Sequence, residues 1–131
     1  MKVKLQIQAT IDQLGSLCKT VESLQQSIMC TDRQMCEIIL VLEELVANAI
    51  LHGGGRVIEV ELDKEWDELA ITICDDGRPF DPTLASEVDT CRPLEDRCAG
   101  GLGIHLVKHY TDTLAYRREK DVNIVTLTKK I

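Results

Sequence analysis

Apolar and polar residues alternate from Lys2 to Ala9, placing Val3, Leu5, Ile7 and Ala9 on one face. A period of two predicts a half-buried strand. Thr10 and Asp12 are helix-start residues, and Leu14, Leu17, Cys18, Val21, Leu24 and Ile28 then recur at helical spacing. That spacing predicts an amphipathic helix over Ile11–Met29. Thr31 and Asp32 offer a second cap, and Gln34 stands three residues after Thr31 as in a capping box. The helix it opens runs to about His52, with Met35, Ile38, Ile39, Leu42, Leu45, Val46 and Ala49 inward. Gly53-Gly54-Gly55 ends it, because glycine accepts the left-handed conformation at a helix C-terminus.

Strands are predicted over Val57–Leu62 and Leu69–Cys74, joined by a polar Asp63–Glu68 turn. After the loop Asp75–Phe80, residues Asp81–Ala99 show no sustained period and carry Pro82 and Pro93. A loop of that length in a compact domain reads as a functional lid or a disordered segment. Gly100–Gly103 leads into a helix, Ile104–Thr111, and two strands follow around Thr113–Arg118 and Val122–Lys129. The order β-α-α-β-β-lid-α-β-β, with short turns between strand pairs, implies antiparallel neighbours. The fold expected is a two-layer α/β (α+β) sandwich, its sheet mixed but mostly antiparallel, with helices on one face. One domain is expected over 1–131, with the lid at about 81–99.

Composition narrows the function classes. The net charge of −7 argues against nucleic acid as a direct partner and against an anionic membrane surface. No apolar run approaches the ~18 residues of a membrane span, and the N-terminus lacks a signal peptide's apolar region. A cytoplasmic protein is expected. Aromatics make up 3% of the chain, so Leu, Ile, Val and Ala must build the core. The six cysteines are expected as reduced thiols, several of them within apolar periodic segments. A zinc set of Cys91, Cys98, His105 and His109 matches no standard spacing.

Three groups of residues could carry chemistry. Glu44, Asn48 and His52 are spaced i, i+4, i+8 and share one helix face. Asparagine is a mediocre helix former, and Asn48 interrupts an apolar surface. Its amide oxygen suits Mg²⁺, a hard cation that keeps several waters. Glu44, one turn earlier, could act as a general base beside that metal. Taken alone, the three also read as a solvated polar stripe. Asp75 ends an apolar strand and is followed by Gly77. A carboxylate there can accept from an exocyclic amine, and glycine clears space for a flat ring. Asp-Gly is also an ordinary turn dipeptide. Gly100-Gly101-Leu102-Gly103 opens a helix, where backbone N–H groups and the helix dipole favour phosphate. It is neither a P-loop nor a good Rossmann fingerprint, and taken alone it reads equally as a structural turn.

Together the motifs are far more specific: E-x-x-x-N-A-x-x-H-G on a helix, D-x-G-x-P-F after a strand, a variable lid, then G-G-x-G at a helix start. Over essentially the whole chain this resembles the GHKL superfamily with its Bergerat ATP-binding fold. It is most similar to the stand-alone anti-sigma-factor serine kinases of bacterial partner-switching systems. Three features point to that branch: the bare domain, the His-Gly ending of the helix motif, and the closing hairpin around Tyr116–Glu119 and Asn123–Lys129.

The resemblance implies that Asn48 binds Mg²⁺ and that Glu44 is the base for a protein-serine hydroxyl. It implies that Asp75, with Gly77 beside the ring, bonds the adenine amine, and that Gly101, Leu102 and Gly103 hold the phosphates of ATP. His52 matches a motif position without an assigned role. Lid arginines Arg92 and Arg97 are candidates for phosphate contact. The activity implied is ATP-dependent serine phosphorylation of a small anti-anti-sigma-like antagonist, with a sigma factor as a further partner. The alternative is a non-catalytic ATP-gated anti-sigma or signalling module. A detached histidine-kinase catalytic domain is disfavoured by the bare domain and the N-A-x-x-H-G ending. An edge strand at Lys2–Ala9 would present unpaired backbone groups through which a homodimer could form.

Overall fold

A computed structural model describes residues 1–84 and 101–131, and side-chain surroundings for all of these except Gly101 and Leu102. Five strands form one sheet: β1 (Lys2–Gln8), β2 (Val57–Glu65), β3 (Glu68–Asp75), β4 (Thr113–Glu119) and β5 (Val122–Lys130). Their spatial order is β1-β2-β3-β5-β4. All four pairings are antiparallel, so the parallel pair of a mixed sheet does not occur among the described residues. The chain enters the far edge of the sheet as β4. A tight turn at Lys120 and Asp121 then inserts β5 between β4 and β3.

The helices are α1 (Ile11–Glu22), a single turn α2 (Gln25–Ile28), α3 (Asp32–Asn48) and α4 (Gly101–Tyr110). α3 packs between α1 and α4. Each strand's alternation sends one set of side chains toward the helices: Ile58, Val60 and Leu62 from β2, and Leu69, Ile71 and Ile73 from β3. They join Leu17, Val21, Ile38, Leu42, Val46 and Val107 in one core. Removing that apolar surface from water is the main stabilising term. No helix among the described residues is long and apolar enough to cross a membrane.

The helix predicted over Ile11–Met29 is broken at Ser23. The Ser23 hydroxyl donates to Thr20 O at 2.5 Å, and Leu24 N–H bonds Val21 O, tightening the last turn and ending the regular ladder. The capping box at α3 forms in full: Gln34 N–H donates to Thr31 Oγ1 at 3.1 Å, and Thr31 N–H donates to Gln34 Oε1 at 2.9 Å. The polar 63–68 stretch shrinks to a turn at Trp66 and Asp67, because β2 and β3 pair as far as Glu65 and Glu68.

Lys129 lies on the buried face of β5, in register with Val125 and Leu127. Its ammonium donates to Glu37 Oε2 at 2.6 Å and to Tyr110 O at 3.0 Å, tying β5 to α3 and to the end of α4. Cys18, Cys30, Cys36 and Cys74 are free thiols. Only Cys18 among these is buried, and burial pushes its thiol up to about 11. Cys91 and Cys98 lie outside the described residues.

Candidate functional site

The site forms where the C-terminal end of α3 meets the end of β3. Glu44 and Asn48 lie one turn apart on α3, as their spacing requires. Asn48 is 6% exposed. Its amide finds no hydrogen-bond partner among the described residues, and it lines a recess with Asp75 and Asn123. The helix predicted to reach His52 is α-helical only to Asn48 and widens into a π-turn at Ala49–Gly53. Such turns release carbonyls from the regular ladder and recur at functional sites. Two of these are used at once: His52 O accepts from Arg78 Nε at 2.7 Å, and Gly53 O from Arg78 N at 2.8 Å.

Asp75 is the last residue of β3 and is 8% exposed. Its Oδ1 accepts from Gly77 N at 2.9 Å and from Asn123 Nδ2 at 3.0 Å. Asn123 stands directly opposite Asp75 in the β3–β5 register. Its Nδ2 also donates to Arg78 O at 2.7 Å, while its Oδ1 accepts from Tyr116 Oη at 2.6 Å and Arg118 Nη1 at 2.9 Å. Arg118 Nη1 donates as well to Gly77 O at 3.0 Å.

Gly77 is required by close approach. A Cβ there would lie 2.6 Å from Gly53 O and 2.7 Å from Gly53 C, which are backbone atoms that cannot step aside. The two glycine-bearing motifs are therefore one packed unit. Asp76 serves that unit rather than a base: its Oδ1 accepts from Arg56 N at 2.7 Å and Val57 N at 3.1 Å. Those backbone donors hold its carboxyl below the ordinary carboxylate value.

At the other end, α4 begins against α3. A Cβ at Gly103 would collide with the flexible carboxylate end of Glu44, so glycine lets the two sit in contact without turning that side chain away. Partial burial, with Glu43 nearby, raises the Glu44 carboxyl above its ordinary value. That shift suits a general base. The surroundings of Gly101 and Leu102, and residues 85–100 with Arg92, Arg97 and most of the lid expected at about 81–99, lie outside the described residues.

Between these ends Phe80 and Pro82 cover the recess, leaving about 10 Å³ beside Leu45, Ile73 and Asp75. That is on the order of one water. Phe80 stacks on His52 with centroids 4.8 Å apart and planes 19° apart, which gives His52 a place in the site. The structure thus brings Asn48 and Asp75 around one recess, with Gly77 behind it on Gly53 and bonded to Asp75, and with Glu44 and Gly103 in mutual contact. Asn123, Tyr116 and Arg118 escaped prediction. The available signal was one asparagine within the apolar run Val122–Leu127, on the face that packs inward.

The fold and recess define a two-layer sandwich with a mainly apolar pocket, carrying Asn48, Asp75 and Asn123, between one long helix and the sheet. Residues 7–129 match the histidine kinase-like ATPase domain, and the chain belongs to that family. It is 33% identical over 87 residues to the serine/threonine-protein kinase BtrW of Bordetella bronchiseptica, a match covering 66% of this chain and 61% of that protein. The chain thus spans less than two thirds of the length of BtrW. It is 25% identical to the anti-sigma F factor of Clostridium perfringens over 98% of this chain and 95% of that one. The crystal structure of the RsbU and RsbW domains of Rv1364c from Mycobacterium tuberculosis superposes with a TM-score of 0.70 at 15% identity. That superposition covers 99% of this chain and 32% of the other, and at such identity the likeness concerns the fold.

Proposed function

We propose that this chain is an ATP-dependent protein-serine kinase of the anti-sigma type, phosphorylating a small antagonist protein and regulating transcription by partner switching. The observation that carries the reading is the buried Asp75 carboxylate, with one oxygen held by Gly77 and Asn123 in a recess that Asn48 also lines. Asp75 accepts the exocyclic amine of adenine, and Gly77, packed on Gly53, donates the N–H that holds that carboxylate beside the ring. Gly101, Leu102 and Gly103 present backbone N–H groups to phosphate at the start of α4.

The donor set fits Mg²⁺: a buried amide with no other partner among the described residues, one turn from a carboxylate. Asn48 would hold the ion, which when bound neutralises phosphate charge. Glu44 takes the proton of the attacking serine hydroxyl, and its raised proton affinity makes it a better acceptor than an ordinary surface glutamate. A pure binding switch needs no base at this position, which favours the kinase. Names among the relatives, a serine/threonine-protein kinase and an anti-sigma factor, agree with both halves of the proposal. The exposed edge of β1 is the surface through which two copies would pair.

Calorimetric titration with ATP, ADP and GTP, with and without Mg²⁺, tests the reading. Micromolar, adenine-selective and Mg²⁺-dependent binding is expected. No binding of any of the three would overturn it. Binding without phosphate transfer to an antagonist serine would leave the ATP-gated module instead.

A further inference from the structure

Asn123 is saturated. A side-chain amide has two N–H donors and an oxygen with two lone pairs, and all four are used. Its orientation is also determined. Arg118 can only donate, so Oδ1 must face it. The carboxylate oxygen of Asp75 and the carbonyl of Arg78 act as acceptors, so Nδ2 must face them. A flipped amide would set its oxygen against two acceptors and its amine against a guanidinium. The lock is built on β4 and β5, far in sequence from the residues that contact Asp75 locally.

The consequence falls on Asp75. Its Oδ1 already accepts two N–H bonds, from Gly77 and Asn123. No group among the described residues donates to Oδ2. We propose that Asn123 is the specificity-determining residue of this site: its locked amide fixes Asp75 so that Oδ2 alone is offered to a nucleobase, admitting a purine with an amine at position 6 and rejecting one with a carbonyl there. A carbonyl at that point sets acceptor against acceptor and leaves a buried polar group unpaired. Asn123 acts through Asp75 and is a positioning residue. The inference rests on the ATP-binding reading above.

The test compares ATP with ITP, which carries a carbonyl in place of the 6-amine and no 2-amino group. Both are titrated calorimetrically with Mg²⁺ into the full chain. Wild-type protein is expected to favour ATP by about 100-fold or more, the discrimination of a site built to bond a ligand N–H. Asn123→Asp sets a second carboxylate against Asp75, which must turn away or share a proton. The ATP-to-ITP ratio is then expected to fall at least about tenfold, a loss of one such bond. A merely structural role would weaken both nucleotides together, and an unchanged ratio overturns the proposal. If Asn123→Asp does not fold, Asn123→Ala removes the N–H that holds Asp75 Oδ1, and the same fall in ratio is required. Wild-type binding of both nucleotides alike also overturns it. Binding of neither by wild-type protein instead overturns the ATP-binding reading on which it rests.

Discussion

At the sheet end of the recess, Asp75 receives two hydrogen bonds on one oxygen and Asn123 makes four of its own. At the helix end, Glu44 abuts the backbone of Gly103, and the amide of Asn48 has no partner among the described residues. The first arrangement is fixed before any ligand arrives, because every donor and acceptor of the Asn123 amide is already used and only Asp75 Oδ2 is left open among the described residues. Among the described residues, the second holds its groups only by helix geometry and one close contact. The two ends suit different tasks. Recognition of a flat base benefits from groups that cannot reorient. Groups that engage a metal, phosphates and a partner's hydroxyl must remain free to accept those ligands.

The largest expected effect breaks the helix end. Asn48→Ala should abolish Mg²⁺-dependent phosphate transfer, read by transfer of labelled phosphate to the antagonist, while leaving selection among bases intact. Loss of base selectivity in that variant would show that the two ends are not separable. Glu44→Gln should slow transfer by ~10²–10⁴-fold, the usual worth of a general base, with ATP affinity spared. Wild-type rate in that variant removes Glu44 from the role. The raised carboxyl also sets the pH dependence. Transfer should fall with acidification at a higher pH than an ordinary glutamate would give, and that limb should vanish in Glu44→Gln. For stability the sign is opposite to a paired carboxylate. Glu44 binds its proton more tightly folded than unfolded, so it costs stability above its raised value. That cost disappears as pH falls below the ordinary value of 4.5.

Gly103→Ala probes the single contact at the helix end. The added methyl meets the Glu44 carboxylate and must displace it or the start of α4. A misplacement near 1 Å costs about a hundredfold in rate. Single-turnover transfer should show this, with the ATP-to-ITP ratio unmoved. The smallest functional effect should come from Lys129→Met, remote from both ends. Among the described residues it leaves Glu37 with only the exposed Arg33 as ionic partner. Breaking such a pair costs about 3 kcal/mol, measurable by urea denaturation. Nucleotide preference should not change. A changed preference would show that the anchor of α4 reaches the recess.

Much of the site was legible because it is written in short stretches. Glu44 and Asn48 share a face by helical period alone, and the Thr31–Gln34 capping box involves neighbours three apart. Asp75 was identified from a strand end followed by glycine, and Gly77 from the same turn. The break at Ser23 was not legible, because the apolar period continues through Leu24 and Ile28 while a hydroxyl ends the ladder. The π-turn at Ala49–Gly53 was missed for a similar reason: its apolar spacing reads as ordinary helix, and only Arg78, 25 or more residues later, draws on its carbonyls.

By itself, then, the sequence determined which segments are strands and helices, which face of each is buried, and which side chains share a helix turn. These follow from periods of 2 and 3.6 and from capping chemistry, all of them local. Tertiary structure decided what meets across the sheet and between layers. Asn123 reaches Asp75 over 48 residues only because β5 enters beside β3 in one register. Lys129 finds Glu37 across 92. A single-residue slip of β5 would turn both side chains to the open face, since side chains alternate strictly along a strand. Register is a property of the assembled core, and no stretch of the chain specifies it alone.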